Sequence, residues 1–380
     1  MLLVLDPRLE EVTAPSAIAE MIKGLDIIAL GFREGTHILA GSRRTLERLL
    51  RLREIKDPTR ATLRACLQMF PQLMALPGHF SFFVSIIPSS VGGVSRLTIG
   101  KQTILEVPIG HFQTSAHIQK TVLMAENLMD ASLAELMARR FRYMTRFAGI
   151  PLRASHRCGA GGNMVINYRQ IQQEKERWCV VLVDSDLKGP KGRIGDTARA
   201  VIKEHRNLGE PPMVEITMLD CKEMENALPD SFYQTAFAAD DAHRDGVVLL
   251  RRLTDTGNEE IRAFIDVKEG LCRGHILCGH GTAEEAAFWR KNAAVVESLS
   301  PLTPGHNPKC SARGVCQAAG TCECWFLKPN HGAILERAVA IIGAWGPREL
   351  VSISGRCGQT WTDVGRLVFE WSSGWKFSAA

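Results

Sequence analysis

One stretch limits what this chain can become more than any other. Trp178–Val183 (WCVVLV) is apolar at every position and runs straight into Asp184-Ser185-Asp186. A short unbroken apolar run bounded by polar residues reads as a strand buried on both faces, as in a parallel sheet covered by helices on each side. Thr121–Ala125 (TVLMA) is a second such run, and it also ends in an acid, Glu126, with Asp130 one helical turn further on. Helical and strand patterns alternate around these two. Asp130 to Arg146 carries Leu133, Leu136, Met137 and Phe141 on one side, DTARAVIKEHR (196–206) opens on Asp196 as its expected N-cap, and MVEITML (213–219) is a further strand. The alternation predicts an α/β fold with a helix-flanked parallel sheet over 120–280.

On either side the pattern changes, so three regions are expected within the 380 residues. Residues 1–119 read as an α+β domain, with amphipathic helices over 42–53 and 60–76, a buried strand at Phe82–Ile87 and a hairpin around Gly100-Lys101. Residues 281–380 read as a helix (284–299), a cysteine-rich loop, a helix near 333–342 and a β-rich end, with VFEWSSGWKF (368–377) as a hairpin around Ser-Ser-Gly. No apolar run is long enough to span a membrane, and MLLVLDPRLEE lacks the basic start of a secretory signal. A cytoplasmic protein with no membrane partner is expected. The net charge of +5 is too small to mark a nucleic-acid binder by itself.

In open parallel sheets, ligands sit beyond the carboxyl ends of the strands, which is where Glu126, Asp130, Asp184 and Asp186 fall. Alternation along a strand would point Asp184 and Asp186 the same way. Carboxylates that face one another repel unless a cation lies between them, and all-oxygen ligands suit Mg²⁺ or Mn²⁺. Divalent ions held this way serve phosphodiester chemistry. The bland alternatives are turn chemistry for Asp-x-Asp and helix capping for Glu126.

TVLMAENLMDASLAELMA (121–138) and WCVVLVDSD (178–186) resemble the two defining motifs of TOPRIM (topoisomerase–primase) domains. More specifically they resemble nucleases of the OLD (overcoming lysogenization defect) group and related anti-phage effectors. GAGG (159–162), CKEMENALP (221–229) and FIDVKEG (264–270) are similar to further segments of that group. Asn127 departs from the glycine that usually follows the first glutamate. The resemblance implies a TOPRIM-like Rossmannoid sheet and a metal-dependent nuclease acting on DNA or RNA. Glu126 would be metal ligand or general base, Asp130, Asp184 and Asp186 metal ligands, and Glu223 or Glu225 a further ligand. Lys268 would stabilise the phosphoryl transition state. The chain has no GxxxxGK[ST] motif, so the resemblance implies either a stand-alone effector or an ATPase subunit supplied in trans. An oligomer is expected. The competing readings are an RNA-processing TOPRIM enzyme and a non-catalytic subunit that binds nucleic acid or an ATPase through a regulatory metal site.

Lys188, Lys191 and Arg193 lie in LKGPKGRIG (187–195), a flexible loop by composition, which is either a plain surface loop or a set of contacts to a phosphate backbone. Arg139, Arg140, Arg142 and Arg146 form a basic run that is either a solvated face or a set of backbone contacts. The chain has 11 cysteines, and structural disulfides are not expected in a cytoplasmic protein. Cys310, Cys316, Cys322 and Cys324, flanked by His306 and His331, are either a structural Zn²⁺ site or surface thiols, with an iron–sulfur cluster a weaker reading. Cys272, His275, Cys278 and His280 are a second candidate metal group, but GHILCGH (274–280) reads rather as a short strand whose cysteine and histidines are partly buried. The late tryptophans Trp361, Trp371 and Trp375 read as cross-strand packing in preference to platforms for stacking bases.

Overall fold

The computed structural model describes residues 1–174, 177–237, 240–278, 282–305, 324–330 and 333–375. It is an α/β protein with two larger sheets and, among the described residues, one short two-stranded pairing. The first contains β1 (Leu2–Leu5), β2 (Ile38–Gly41), β3 (Phe82–Ile87), β4 (Ser95–Ile99) and β5 (Gln102–Pro108), in the order β2-β1-β3-β5-β4. Its strands are parallel except β4, which returns antiparallel to β5 as the predicted hairpin. The helices expected over 42–53 and 60–76 form as Arg43–Leu50 and Asp57–Gln68, and the second pattern breaks before Phe70–Ala75, where Pro71 occupies the first turn.

The second sheet is wholly parallel and contains β6 (Thr121–Ala125), β7 (Ala154–Cys158), β8 (Cys179–Val183) and β9 (Val214–Met218), in the order β7-β6-β8-β9. Each crossover carries a helix: Leu128–Met144, Met164–Glu174 and Asp196–Asn207. The apolar runs are buried on both faces, as predicted. Val122, Met124, Cys179, Val181 and Val183 pack with the Met164 and Asp196 helices, whereas Leu123, Ala125, Val180 and Leu182 join the main core on the opposite face. Alternate residues of one run therefore serve two layers.

The β-rich end expected at 368–377 does not form. Gly355–Ser372 is a single helix, and the described residues of the proposed hairpin belong to it up to Ser372. This closing helix lies along the Leu128 helix so closely that a Cβ on Gly365 would overlap the Met137 carbonyl. Its far end reaches the first sheet, where Glu370 accepts hydrogen bonds from the Ser81 N–H at 2.7 Å and its hydroxyl at 2.6 Å, and Trp371 stacks on Phe82. Arg273–Cys278 is likewise helical rather than a strand; only Leu271–Cys272 is extended, paired with Trp325–Leu327. Asp196 is the first residue of its helix and Gly195 the N-cap. No helix among the described residues is long and apolar enough to cross a membrane.

Candidate active site

With β7 on one side of β6 and β8–β9 on the other, the chain reverses direction between β6 and β8, and open α/β sheets bind ligands outside the strand ends at such a point. Glu126 follows β6 and Asp184 follows β8, so the two predicted acidic motifs flank the reversal.

The helix after Glu126 is capped by Asn127, not by the glutamate. The Asn127 side chain accepts from the backbone N–H groups of Met129 and Asp130, and the Asp130 carboxylate accepts from the Asn127 N–H at 3.1 Å. This capping box orients Asp130 toward the strand end and gives Asn127 a local reason to replace glycine. Glu126 is left without a capping duty, and its Oε1 is buried without a hydrogen-bond partner, as is Oδ1 of Asp130. Gly159 crosses just above, its N–H donating to the Ala125 carbonyl at 2.6 Å, with no room for a Cβ beside that carbonyl and Met164.

Strand alternation ends with β8 at Val183, so the expected common direction of Asp184 and Asp186 does not hold. Asp186 adopts φ +52°, and the two acids face different partners. Asp184 accepts from the Met224 N–H at 3.1 Å, while a Cβ on Gly195 would overlap the Asp186 carboxylate. The strand end is tied to the next loop by the Asp186 N–H to the Lys222 carbonyl and by the Ser185 hydroxyl to the Cys221 carbonyl.

That loop brings in the remaining acids. Glu223 caps the short 3-10 turn Met224–Ala227, and both Glu223 and Glu225 are buried. Lys268 Nζ stands 3.2 Å from Glu223 and 3.2 Å from Glu225, while Lys222 Nζ is held between Glu223 and Asp266. The sequence reading missed Lys222 and Asp266. The signal was the adjacency of Lys222 to Glu223, and the closeness of Asp266 to Lys268 within FIDVKEG, a turn that offers an acid to Lys222 and an amine to Glu223 and Glu225.

The electrostatics follow from burial first and from mutual repulsion second. Burial, then Asp130, Glu225 and Glu126, push Asp184 well above the carboxylate range. Burial pushes Asp130 up to about 6, helped by Glu126. Glu126, Asp186 and Glu225 are raised by burial before any charge acts. For both lysines burial opposes the charge, but Glu223 and Asp266 around Lys222, and Glu225 and Glu223 around Lys268, outweigh it and hold each amine protonated. The donor set is all-oxygen, and besides Glu126 and Asp130 it includes an unpartnered buried Oε2 on Glu225. That chemistry fits a hard divalent cation, although among the described residues no three His, Cys, Asp or Glu side chains are already gathered as a ligand set.

Several other predicted residues fall elsewhere. Most of the basic run is a structural clamp, contrary to both of its expected readings, while Arg146 lies beyond the Leu128 helix and is exposed. Arg140 is buried and donates to the carbonyls of Leu350, Ile353 and Gly358 and to Thr362, and Arg139 donates to Gly343 and Trp345. Lys188, Lys191 and Arg193 are exposed. Their loop is pinned rather than flexible: the Arg193 N–H donates to Glu285, and the Trp289 indole donates to the Lys188 carbonyl at 2.7 Å. Of the proposed zinc ligands, Cys310, Cys316 and Cys322 lie outside the described residues, as do His306, His331 and His280; Cys324 is buried beside Trp325. Trp361, Trp371 and Trp289 are buried core residues with no cross-strand hairpin. A polar cleft of about 620 Å³ opens between β5, β9 and the closing helix, and none of the six predicted acids lines it.

No protein-family model, no curated protein and no solved structure matches the chain.

Proposed function

We propose that this chain is a divalent-cation-dependent nuclease that hydrolyses phosphodiester bonds of DNA or RNA at the acidic centre. The observation that carries the reading is the convergence, at the reversal point of a parallel sheet, of Glu126, Asp130, Asp184, Asp186, Glu223 and Glu225, against Lys222 and Lys268 among the described residues of the same centre. Such an excess of buried negative charge is costly unless a cation joins it. A TOPRIM-like arrangement and a defence role of the OLD kind belong to this proposal and rest on the motif resemblance.

Mg²⁺ or Mn²⁺ held by Asp130, Asp184, Asp186 and Glu225 would supply Lewis-acid activation of a phosphoryl oxygen and of the attacking water. The chain's own groups do the rest. Glu126, whose basicity is raised by burial and by Asp186, takes a proton from the water. Lys268, protonated and partly exposed, counters charge that develops on the phosphoryl oxygens. Lys222, sealed between Glu223 and Asp266, fixes the loop that carries the glutamates and touches no substrate.

The pairing of Lys222 and Lys268 with Glu223 favours one alternative, a structural ion-pair network in a non-catalytic binding subunit. The test is incubation of purified protein with mixed DNA, tRNA and total RNA under Mg²⁺ and Mn²⁺. Cleavage is expected, with a loss of at least about a hundredfold in Glu126→Ala and Asp184→Ala, and the wild type and Glu126→Ala, but not Asp184→Ala, are expected to gain melting temperature on adding the cation. Undiminished cleavage in either variant, or none in the wild type under both cations, overturns the reading.

A further inference from the structure

We infer that 187–194 forms a fixed cationic rim that seats phosphates on either side of the reacting one, so that the centre takes a polynucleotide strand rather than an isolated phosphate ester. This rests on the reading above for the chemistry of the acids, but its own evidence is how the loop is held.

The loop leaves at Asp186 and returns at Gly195, which lies against the Asp186 carboxylate. Consecutive Cα atoms are about 3.8 Å apart, so Lys188 lies within about 7.6 Å of Asp186 and Arg193 within about 7.6 Å of Gly195. Both ends of the rim are therefore at the centre, with Lys191 at its outer turn. The helix Ala283–Leu299 fastens the loop along its length. The Trp289 indole N–H donates to the Lys188 carbonyl at 2.7 Å, and a Cβ on Gly189 would sit 3.4 Å from the Phe288 ring. Glu285, 3% exposed, accepts the Arg193 N–H at 3.1 Å and the Thr282 N–H at 2.7 Å, and Gly192 leaves no space for a side chain beside it. Against this fastened backbone, Lys188, Lys191 and Arg193 turn their side chains to solvent. Arg193 has only the exposed Asp196 at 3.8 Å, and Glu284 lies near Lys191.

The charge distribution then selects the ligand. A lone phosphate entering the centre meets more carboxylates than amines, whereas Lys188, Lys191 and Arg193, the last two with no acid nearer than the exposed Glu284 and Asp196 among the described residues, lie on the loop that leaves and returns at Asp186. Neighbouring phosphates reach those cations, and only a strand has neighbours. A preformed loop leaves only side chains to be ordered on binding. Glu285 and Trp289 are positioning residues in this scheme.

The test is fluorescence anisotropy in EDTA with labelled oligodeoxythymidylate and oligouridylate dodecamers, competed by the corresponding dinucleotides. At about 0.7 in log–log salt slope per single-strand phosphate contact, the triple variant Lys188→Ala/Lys191→Ala/Arg193→Ala is expected to lose about 2 from the slope and at least about tenfold in affinity. Trp289→Phe is expected to weaken binding severalfold with the slope unchanged, because the charges remain and only their seating loosens. Dinucleotides should compete at least about a hundredfold less well. An unaltered slope in the triple variant, or dinucleotides that compete as well as dodecamers, overturns the rim. Rim-dependent binding without cleavage under either cation would overturn the nuclease reading and leave the rim standing; cleavage indifferent to the triple variant would do the reverse.

Discussion

Asp186 at φ +52° and Gly195 facing it are two halves of one local solution. A non-glycine residue in the left-handed region is strained, and it persists only where its surroundings hold it; here the Lys222 carbonyl takes its N–H and the bare Cα of Gly195 admits its carboxylate. Gly195→Ala is expected to displace that carboxylate and cost about 1–3 kcal/mol, read as a lower urea midpoint together with reduced cation-dependent cleavage; a variant with wild-type midpoint and activity would show that the contact does not matter. Glu370 offers a second residue-scale prediction. Burial pushes its carboxyl up to about 7 from 4.5, opposed by the Ser81 hydrogen bonds. A carboxyl raised in the folded state holds its proton longer there than in the unfolded chain, so stability falls as pH rises from about 4.5 to about 7 and then levels. At about 1.4 kcal/mol per pH unit the full effect approaches about 3 kcal/mol. Urea melts at pH 5 and pH 8 should show the wild type losing more stability than Glu370→Gln over that interval; parallel losses would exclude this group as the cause. At this scale Glu126 and Asp184 were legible because each follows an apolar run directly. Asp186's backbone was not, since period-two alternation predicts directions only while the strand lasts.

The closing helix shows what a short motif can hide. Ser-Ser-Gly flanked by aromatics satisfies a hairpin signal, yet Trp361, Val364, Val368 and Trp371 already repeat at helical spacing upstream and are all buried. The longer period wins because it buries a face against the Leu128 helix, the second sheet and Phe82 at once. Gly365 marks the tightest part of that contact. Gly365→Val is expected to force the two helices apart and lower stability by roughly 2–4 kcal/mol, measured as a drop in melting temperature; an unchanged melting temperature would mean that the helices can separate freely. The 187–195 loop misled in the opposite direction. Its glycines and proline suggested freedom, but Gly189, Gly192 and Gly195 are where Phe288, Glu285 and Asp186 come closest. Glycine in a loop can signal close approach as readily as flexibility, and only the partner, here a helix nearly a hundred positions later in the chain, decides between them.

On the scale of the molecule, the parallel sheet was readable because β6 and β8 are continuous apolar runs with helices between the strands, whereas β7 (ASHRC), a polar and half-exposed edge strand, gave no such signal and was not anticipated. The first sheet was harder to read: β1 and β2 are short, and its edge strand β4 is exposed throughout. What no local pattern showed is that the two sheets share a helix. Thr121 at the start of β6 donates to the Trp371 carbonyl, Ser81 before β3 donates to Glu370, and the Cys357 thiol and Trp361 indole both donate to the Ala227 carbonyl in the loop that carries Glu223 and Glu225. The sheets and the acidic loop are thus braced by one element, and unfolding should be a single event. Far-ultraviolet circular dichroism and tryptophan fluorescence are expected to report coincident transitions; two separated transitions would show that the sheets are independent.

The same brace has a consequence for biosynthesis. Glu370 meets Ser81 across 289 positions and Trp371 meets Thr121 across 250, so while a ribosome is still extending the chain both sheets wait with an uncovered apolar flank. Contacts of such long range form slowly, and a newly made chain with that surface exposed is a client for a chaperone until residues 355–372 emerge and lock the two halves together.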